Sequence, residues 1–315
     1  MTSTNSKINF GYVALRHTRT KPEPAGQPRT GRLITQKVEI HEAEQYRIVN
    51  LNSCFGFPHH PGGRVSARIR REYESALNRG TFPIELENRL SDRLQGLPEK
   101  PANILMCHHH PVEHQHRSYF QDGYGPMVRG GELVELLESM YECGRWTIVH
   151  GHKHIPMLTT GGASANSPII LCAASLGGRL WHPIVTVTRN QFHLLEYELA
   201  PTRGLARTRG SIESYSWGFG AGWMPARDMS GLPASCGFGM SVDPRDLAER
   251  ISSLVNDSPA GFIRMPELRI AAPELMYQAP RDADLMDRLL EIRGMVLHRN
   301  RRGQLLEVAK EAVDL

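Results

Sequence analysis

Apolar residues recur along this chain with two periods. Short runs rich in Ile, Val and Leu, bounded by turn residues, lie at Tyr46–Asn52, Ala102–Met106, Trp146–Val149 and Ile169–Ala174. They read as strands, the last three as buried ones. Leu33–Ile40 alternates more loosely and is a weaker strand. Helical spacing fills the gaps. One helix is predicted within Val65–Asn78 and another within Ile84–Leu94, where Leu86, Leu90 and Leu94 fall at four-residue spacing on one face. A third places Leu133, Leu136, Leu137 and Met140 on one side after Gly130-Gly131 and ends at Gly144, a C-terminal glycine. Ile184–Thr188 and Gln191–Leu199 alternate around Arg189-Asn190 and predict an antiparallel hairpin.

The texture changes near Ala200. Residues 201–240 are rich in Gly, Arg, Ser and aromatics. Gly218-Phe219-Gly220-Ala221-Gly222-Trp223 lacks the strand–loop–helix setting and the Lys-Ser/Thr of a phosphate loop, so it reads as a glycine-rich turn that packs tryptophans. Asp243-Pro244-Arg245-Asp246 opens a helix, with an Asp cap and Pro at the first position. Its buried face is Leu247, Ile251, Leu254 and Val255. A second helix at Ala283–Ile292 precedes a hairpin of Met295–His298 and Gln304–Val308. The expected organisation is a polar, Pro-rich segment 1–45, a main domain 46–200 and a small α+β module 201–315.

Composition narrows the class. The 315 residues are 40% apolar and 22% charged with a formal charge of +4, ordinary for a globular chain. That charge suits a phosphate-bearing ligand and is too small to argue for nucleic acid alone. No run of eighteen apolar residues exists, so no transmembrane helix is expected. Five scattered cysteines without Cys-x-x-Cys point to reduced thiols and a cytoplasmic setting.

The chemistry is concentrated in histidine. Eight of the fifteen histidines fall between His108 and His154. Cys107-His108-His109-His110-Pro111 follows one predicted strand and His150-Gly151-His152-Lys153-His154 follows another. Imidazole is a common ligand for Zn, Mn, Fe and Ni. A His-x-His on a tight loop can present two rings to neighbouring ions, and Gly151 lets the backbone pass close.

The series strand–His-His-Pro, a loop with Asp and Gly, an amphipathic helix, strand–Gly-His-x-His and an apolar strand ending in Ser-Leu-Gly resembles the second half of the calcineurin-like metallophosphoesterases, over about Tyr46 to Leu199. The resemblance implies an α/β fold, a two-sheet β-sandwich flanked by helices, and a hydrolase of phosphomonoesters or phosphodiesters. In such a site two divalent ions (Mn, Fe, Zn or Ni) about 3.5–4 Å apart clamp the phosphate and activate water. It implies His109 and His152 as ligands of one ion and His154 as a ligand of the other. His110 and Asp122 are candidates for substrate or outer-shell contacts. His108 is expected to be packed, and His150, His114 and His116 structural or incidental.

The family's Asp-x-His, Gly-Asp-x-x-Asp and Gly-Asn-His motifs are absent, and no aspartate precedes Asp92. One ion would have only His109 and His152, the other only His154, whereas a catalytic zinc site generally has three protein ligands. The expectation is therefore that a separate chain supplies the first half, or that this half has been lost from the gene. Two alternatives stand beside it: a non-catalytic binding or regulatory remnant, and a mononuclear metalloprotein using His109, His152, His154 and one further local donor. Nucleic acid stays open as a partner, since Arg203, Arg207, Arg209, Arg299, Arg301 and Arg302 form either a basic surface or a solvated one. No membrane partner is expected.

Overall fold

The computed structural model describes residues 38–55, 66–114, 125–162, 164, 166–180, 184–198, 208–226, 231–300 and 305–311. Six strands, β1 (Val38–Glu42), β2 (Tyr46–Leu51), β3 (Ala102–Cys107), β4 (Trp146–His150), β5 (Met157–Thr160) and β6 (Ile169–Cys172), form one sheet in the order β1-β2-β3-β4-β6-β5. Strands β2, β3, β4 and β6 run parallel, with Cys107 opposite His150 and His150 opposite Cys172. Strands buried on both faces need no polar alternation, and that is what their sequences lack. Leu105, Cys107, Ile148 and Ile170 face two helices, α2 (Ile84–Leu94) through Leu86, Leu90 and Leu94, and α3 (Gly130–Ser139) through Leu133, Val134 and Leu137. Ile104, Leu158, Ile169 and Leu171 face the other way.

That second face is covered by another sheet. β7 (Gln191–Tyr197), β8 (Gly210–Gly218), β9 (Gly222–Pro225) and β10 (Ser235–Phe238) are ordered β10-β8-β7, with β9 also on β8. Tyr197, Ile212 and Phe238 supply its side of the shared core. The main body is thus mixed α/β in three layers: helices, a largely parallel sheet and an antiparallel sheet. The remaining helix of this part, α1 (Ala67–Arg79), is capped by Ser66, ends at Gly80 and has no buried residue.

Two expectations are corrected. Ile184–Thr188 is not a strand: Val187 and Thr188 donate backbone bonds to Ile184 as in a helical turn, and Ile184 and Val187 pack with Ile155 and Leu180. Their three-residue spacing carries the burial. The partner of β7 is instead β8, in register from Gln191↔Ser216 to Tyr197↔Gly210. The change of texture near Ala200 therefore does not mark a break in the fold. The reading of the glycine-rich stretch agrees with the structure: Phe219–Ala221 turns β8 into β9, and Trp217 packs edge-on to Trp223 at 5.4 Å.

His193 sits on the inner side of β7, where its Nδ1 meets Ser214 Oγ at 2.9 Å. Burial pushes its imidazole down to about 4, against about 6.5 in an unfolded chain. Between those values the unfolded state binds the extra proton, so the contribution is intact above pH 6.5 and is lost as pH falls toward 4. Urea midpoints at pH 7 and pH 5 are expected to differ less in His193→Gln than in the wild type; an unchanged difference would disprove the assignment.

Residues beyond Met240 build a third unit. Its order is α4 (Pro244–Asp257), β11 (Phe262–Arg264), α5 (Met265–Ala271), α6 (Pro280–Ile292), β12 (Met295–Arg299) and β13 (Leu305–Lys310), with a sheet β11-β13-β12. Asp243 caps α4 by accepting from the Arg245 amide at 2.7 Å. Leu247, Ile251, Val255, Leu268, Met286, Leu290 and Val308 close its own core. Backbone bonds join it to the second sheet: Gly237 donates to Gln278 and Met240 to Tyr277. The Tyr277 hydroxyl donates to Glu198 at 2.6 Å, and Arg209 pairs with Glu198 while lying over the Tyr277 ring. Among the described residues no helix is long and apolar enough to cross a membrane.

Candidate metal centre

Parallel strands deliver their C-terminal ends to one edge of a sheet, and the loops that follow meet there. Four loops do so here: Asn52–Phe55 after β2, His108–Pro111 after β3, Gly151–His154 after β4 and Ser175–Gly178 after β6. The two histidine clusters come together because β3 and β4 are neighbours in register.

The ring nitrogens of His108, His109 and His152 lie within 4.8 Å of one another, the only such group of three possible ligands among the described residues. His108 Nε2 and His152 Nδ1 are 3.2 Å apart. In a tetrahedral site with metal–nitrogen bonds of about 2.0–2.1 Å, two ligand nitrogens are separated by about 3.3 Å. The pair is therefore already at the edge length of a coordination shell. Two lone pairs at that distance repel unless a proton or a cation lies between them.

His109 is held differently. Its Nε2 is 2.8 Å from the Leu77 carbonyl, which only accepts, so Nε2 carries the proton. Its Nδ1 lone pair then takes the Ser53 hydroxyl at 2.9 Å. Ser53 Oγ in turn accepts the backbone N–H groups of His108 and His109, both at 3.2 Å. His109 is fully enclosed, and Ser53 competes with any ion for its Nδ1. His108, expected to be packed, is instead half-buried and aimed at His152. That expectation is corrected, because the turn after Cys107 directs successive rings to different sides.

His152 and His154 have φ of 70° and 60°. The Lys153 amide donates to the Gly151 carbonyl at 2.9 Å and the Ile155 amide to the Lys153 carbonyl at 2.8 Å. These are two successive γ-turns of the rare positive-φ kind, centred on the two histidines. Non-glycine residues in such conformations are strained, by about 1–3 kcal/mol each, and persist where the surroundings or a function impose them. The turns send His152 toward the trio. His154 is not brought into it and lies by Gly178, where an added Cβ would be 3.9 Å from its Cε1.

His110 is buried behind His152, with ring planes 10° apart and centroids at 5.9 Å. Its Nδ1 is buried with no hydrogen-bond partner among the described residues. His150 donates from Nδ1 to the Gly151 carbonyl at 3.0 Å, and His114 from Nε2 to that of Ile155, also at 3.0 Å. Asp122 and His116 lie outside the described residues.

Burial is the main cause of low basicity throughout. It holds His152 at about 3, helped by the neighbouring charges of His109, His108 and Lys153. His150 falls to about 3 and His110 to about 2, and His154 is also lowered. Neutral imidazole is the form that binds a metal.

The sequence does not announce Ser53, the Leu77 carbonyl or the buried Lys153. Only the first had a signal: it follows a predicted strand whose neighbour could not be known. The donor set suits the nitrogen shell of one ion. It does not suit a pair of ions, since among the described residues no carboxylate joins the group to offset repulsion between two dications.

Among known families, the model described as wHTH-Calcineurin_assc matches residues 236–291, from β10 to the end of α6. No curated protein matches the chain.

Proposed function

We propose that residues 46–198 are the histidine-bearing half of a metal-dependent phosphoesterase of the calcineurin-like kind, which hydrolyses a phosphate ester when a second polypeptide contributes the carboxylates. The observation that carries this reading is the facing pair His108 Nε2 and His152 Nδ1 at 3.2 Å, at the edge where four parallel strands end. Three further features support it. Two sheets stack face to face with helices outside, as a partial sandwich would. The matched segment 236–291, named for an association with calcineurin, is joined to the second sheet. No Asp or Glu occurs from Cys143 to Leu195, so Lys153, Arg179 and Arg189 on the chain after β4 and β6 have no acid of that stretch to offset them, a setting that suits an anion.

A bound divalent ion would polarise the phosphoryl oxygens and acidify a water. The residues of this chain hold and orient: His108 and His152 offer the lone pairs, His109 braces the loop through Ser53, and Lys153 adds buried positive charge nearby. A second reading, a mononuclear three-histidine centre complete on this chain, is favoured by the all-imidazole group; three histidines are a known zinc set.

Hydrolysis of bis-p-nitrophenyl phosphate with added Mn is expected only when a polypeptide bearing Asp-x-His, Gly-Asp-x-x-Asp and Gly-Asn-His is present. Equal activity without that polypeptide would reject the two-chain reading in favour of the mononuclear one. No activity in either arm would reject the phosphoesterase.

A further inference from the structure

The outer face of the second sheet carries an aromatic array that the core does not use. Along β8 the inward positions are Ile212, Ser214 and Ser216, all buried. The outward ones include Tyr215 and Trp217. Phe192 of β7 is directly opposite Tyr215, and Trp223 of β9 directly opposite Trp217. Phe192 and Tyr215 stack at 4.9 Å with planes 8° apart, and Trp223 meets Phe192 edge-on at 5.0 Å. Trp217 is 46% exposed, Trp223 39%, and Phe219 at the hairpin tip is wholly exposed.

This array adjoins the histidine edge. The Trp217 amide donates to the Asn190 carbonyl, and the Gln191 amide to the Ser175 carbonyl at 2.9 Å. Ser175 Oγ accepts the Gly178 amide, and Gly178 borders His154. The connecting chain lies within the acid-free stretch from Cys143 to Leu195, with Arg179 and Arg189 exposed on it. The first acid met on the array is Glu213, bonded by the Tyr215 hydroxyl and two residues farther from the edge.

We infer that the aromatic face is a stacking platform for single-stranded nucleic acid, and that the phosphate ester presented to the histidine edge belongs to a polynucleotide. The second half of this inference rests on the phosphoesterase reading; the first does not. Exposed rings on a sheet accept bases of any sequence through their π faces, while nearby cations track the backbone. An uncharged sugar chain would use the rings and gain nothing from the acid-free loops. A strand with its phosphate at the histidines would meet Trp217 and Trp223 first and the Phe192–Tyr215 stack next.

The test uses the full chain in EDTA, with a fluorescein-labelled ten-residue oligothymidylate and an abasic phosphodiester oligomer of equal length. The thymidylate is expected to bind at least tenfold tighter and to quench tryptophan emission. Trp217→Ala and Trp223→Ala should each weaken it about tenfold, Trp217→Phe should restore most of the binding, and urea midpoints will identify any variant that merely unfolds. Equal binding of the two oligomers overturns the platform. So does tighter binding of an uncharged oligosaccharide, or a wild-type dimer in sedimentation that Trp217→Ala converts to monomer. Metal uptake measured on EDTA-free portions of the same preparations reports on the phosphoesterase reading separately, so a failure of either is recognisable.

Discussion

Protein carrying His152→Ala is expected to retain no divalent ion after dialysis, where the wild type retains about one per chain. The substitution removes one of the two nitrogens that face each other at 3.2 Å. What remains is His108 and the Nδ1 of His109, and the latter is already bonded to Ser53. Two imidazoles, one of them committed to Ser53, do not make a shell for Zn or Mn. His108→Ala is expected to give the same loss, whereas His154→Ala should keep the ion, because His154 stands outside the trio. Elemental analysis of the three variants decides. If His108→Ala keeps its metal and His154→Ala loses it, the assignment implied by the family motif is right and the geometric one is wrong. His152→Gly adds a second readout. With φ at 70°, glycine relieves a strain of about 1 kcal/mol or more, so metal-free His152→Gly should unfold at higher urea than metal-free His152→Ala.

Gly80→Ala is expected to destabilise the protein by about 3 kcal/mol or more, although Gly80 is no ligand. Its φ of 70° already excludes a comfortable alanine, and an added Cβ would stand 2.3 Å from Cγ and Nδ1 of His109. The ring cannot swing aside cheaply, since it is pinned by the Leu77 carbonyl on one nitrogen and Ser53 on the other. Moving it also disturbs Ser53, which holds the backbone of His108 and His109. The same variant should therefore lose metal. A double-mutant cycle isolates the cause: in a His109→Gly background the contacts with Cγ, Nδ1 and the Cβ at 2.7 Å all vanish and the backbone strain remains, so Gly80→Ala should cost about 1 kcal/mol there. Urea unfolding of the four proteins measures this. A cost below about 1 kcal/mol in the wild-type background would show that the loop yields freely and that His109 is not fixed as described.

Local order was largely legible before any coordinates. Leu86, Leu90 and Leu94 at four-residue spacing located α2, and Asp243-Pro244 located the start of α4, because period and cap chemistry are local. The short, non-alternating runs located β3, β4 and β6. Strand β5 and helix α5 were not foreseen. Met157–Thr160 is an edge strand of four residues with only Leu158 buried, and Met265–Ala271 buries only Leu268, so neither carries a periodic signal. The Ile184–Thr188 strand failed for the opposite reason: five residues satisfy a two-residue alternation and a three-residue spacing almost equally well. Arg47 illustrates a further limit. It alternates within β2 as an ordinary polar position, yet it is fully buried, bonded to Glu42, Asn103 and the Pro98 and Cys143 carbonyls.

For the site, residue type and spacing alone determined that imidazoles follow two strands, that aspartates are lacking before Asp92, and that acids are absent from Cys143 to Leu195. Tertiary structure decided which rings meet. Placing β3 beside β4 in parallel register joined the two clusters, and two positive-φ turns then sent His152 inward and His154 aside. Composition and periodicity are carried by each segment by itself. The direction of an imidazole depends on backbone torsions fixed by neighbours as distant in sequence as Ser53 and Leu77, and no local pattern records those.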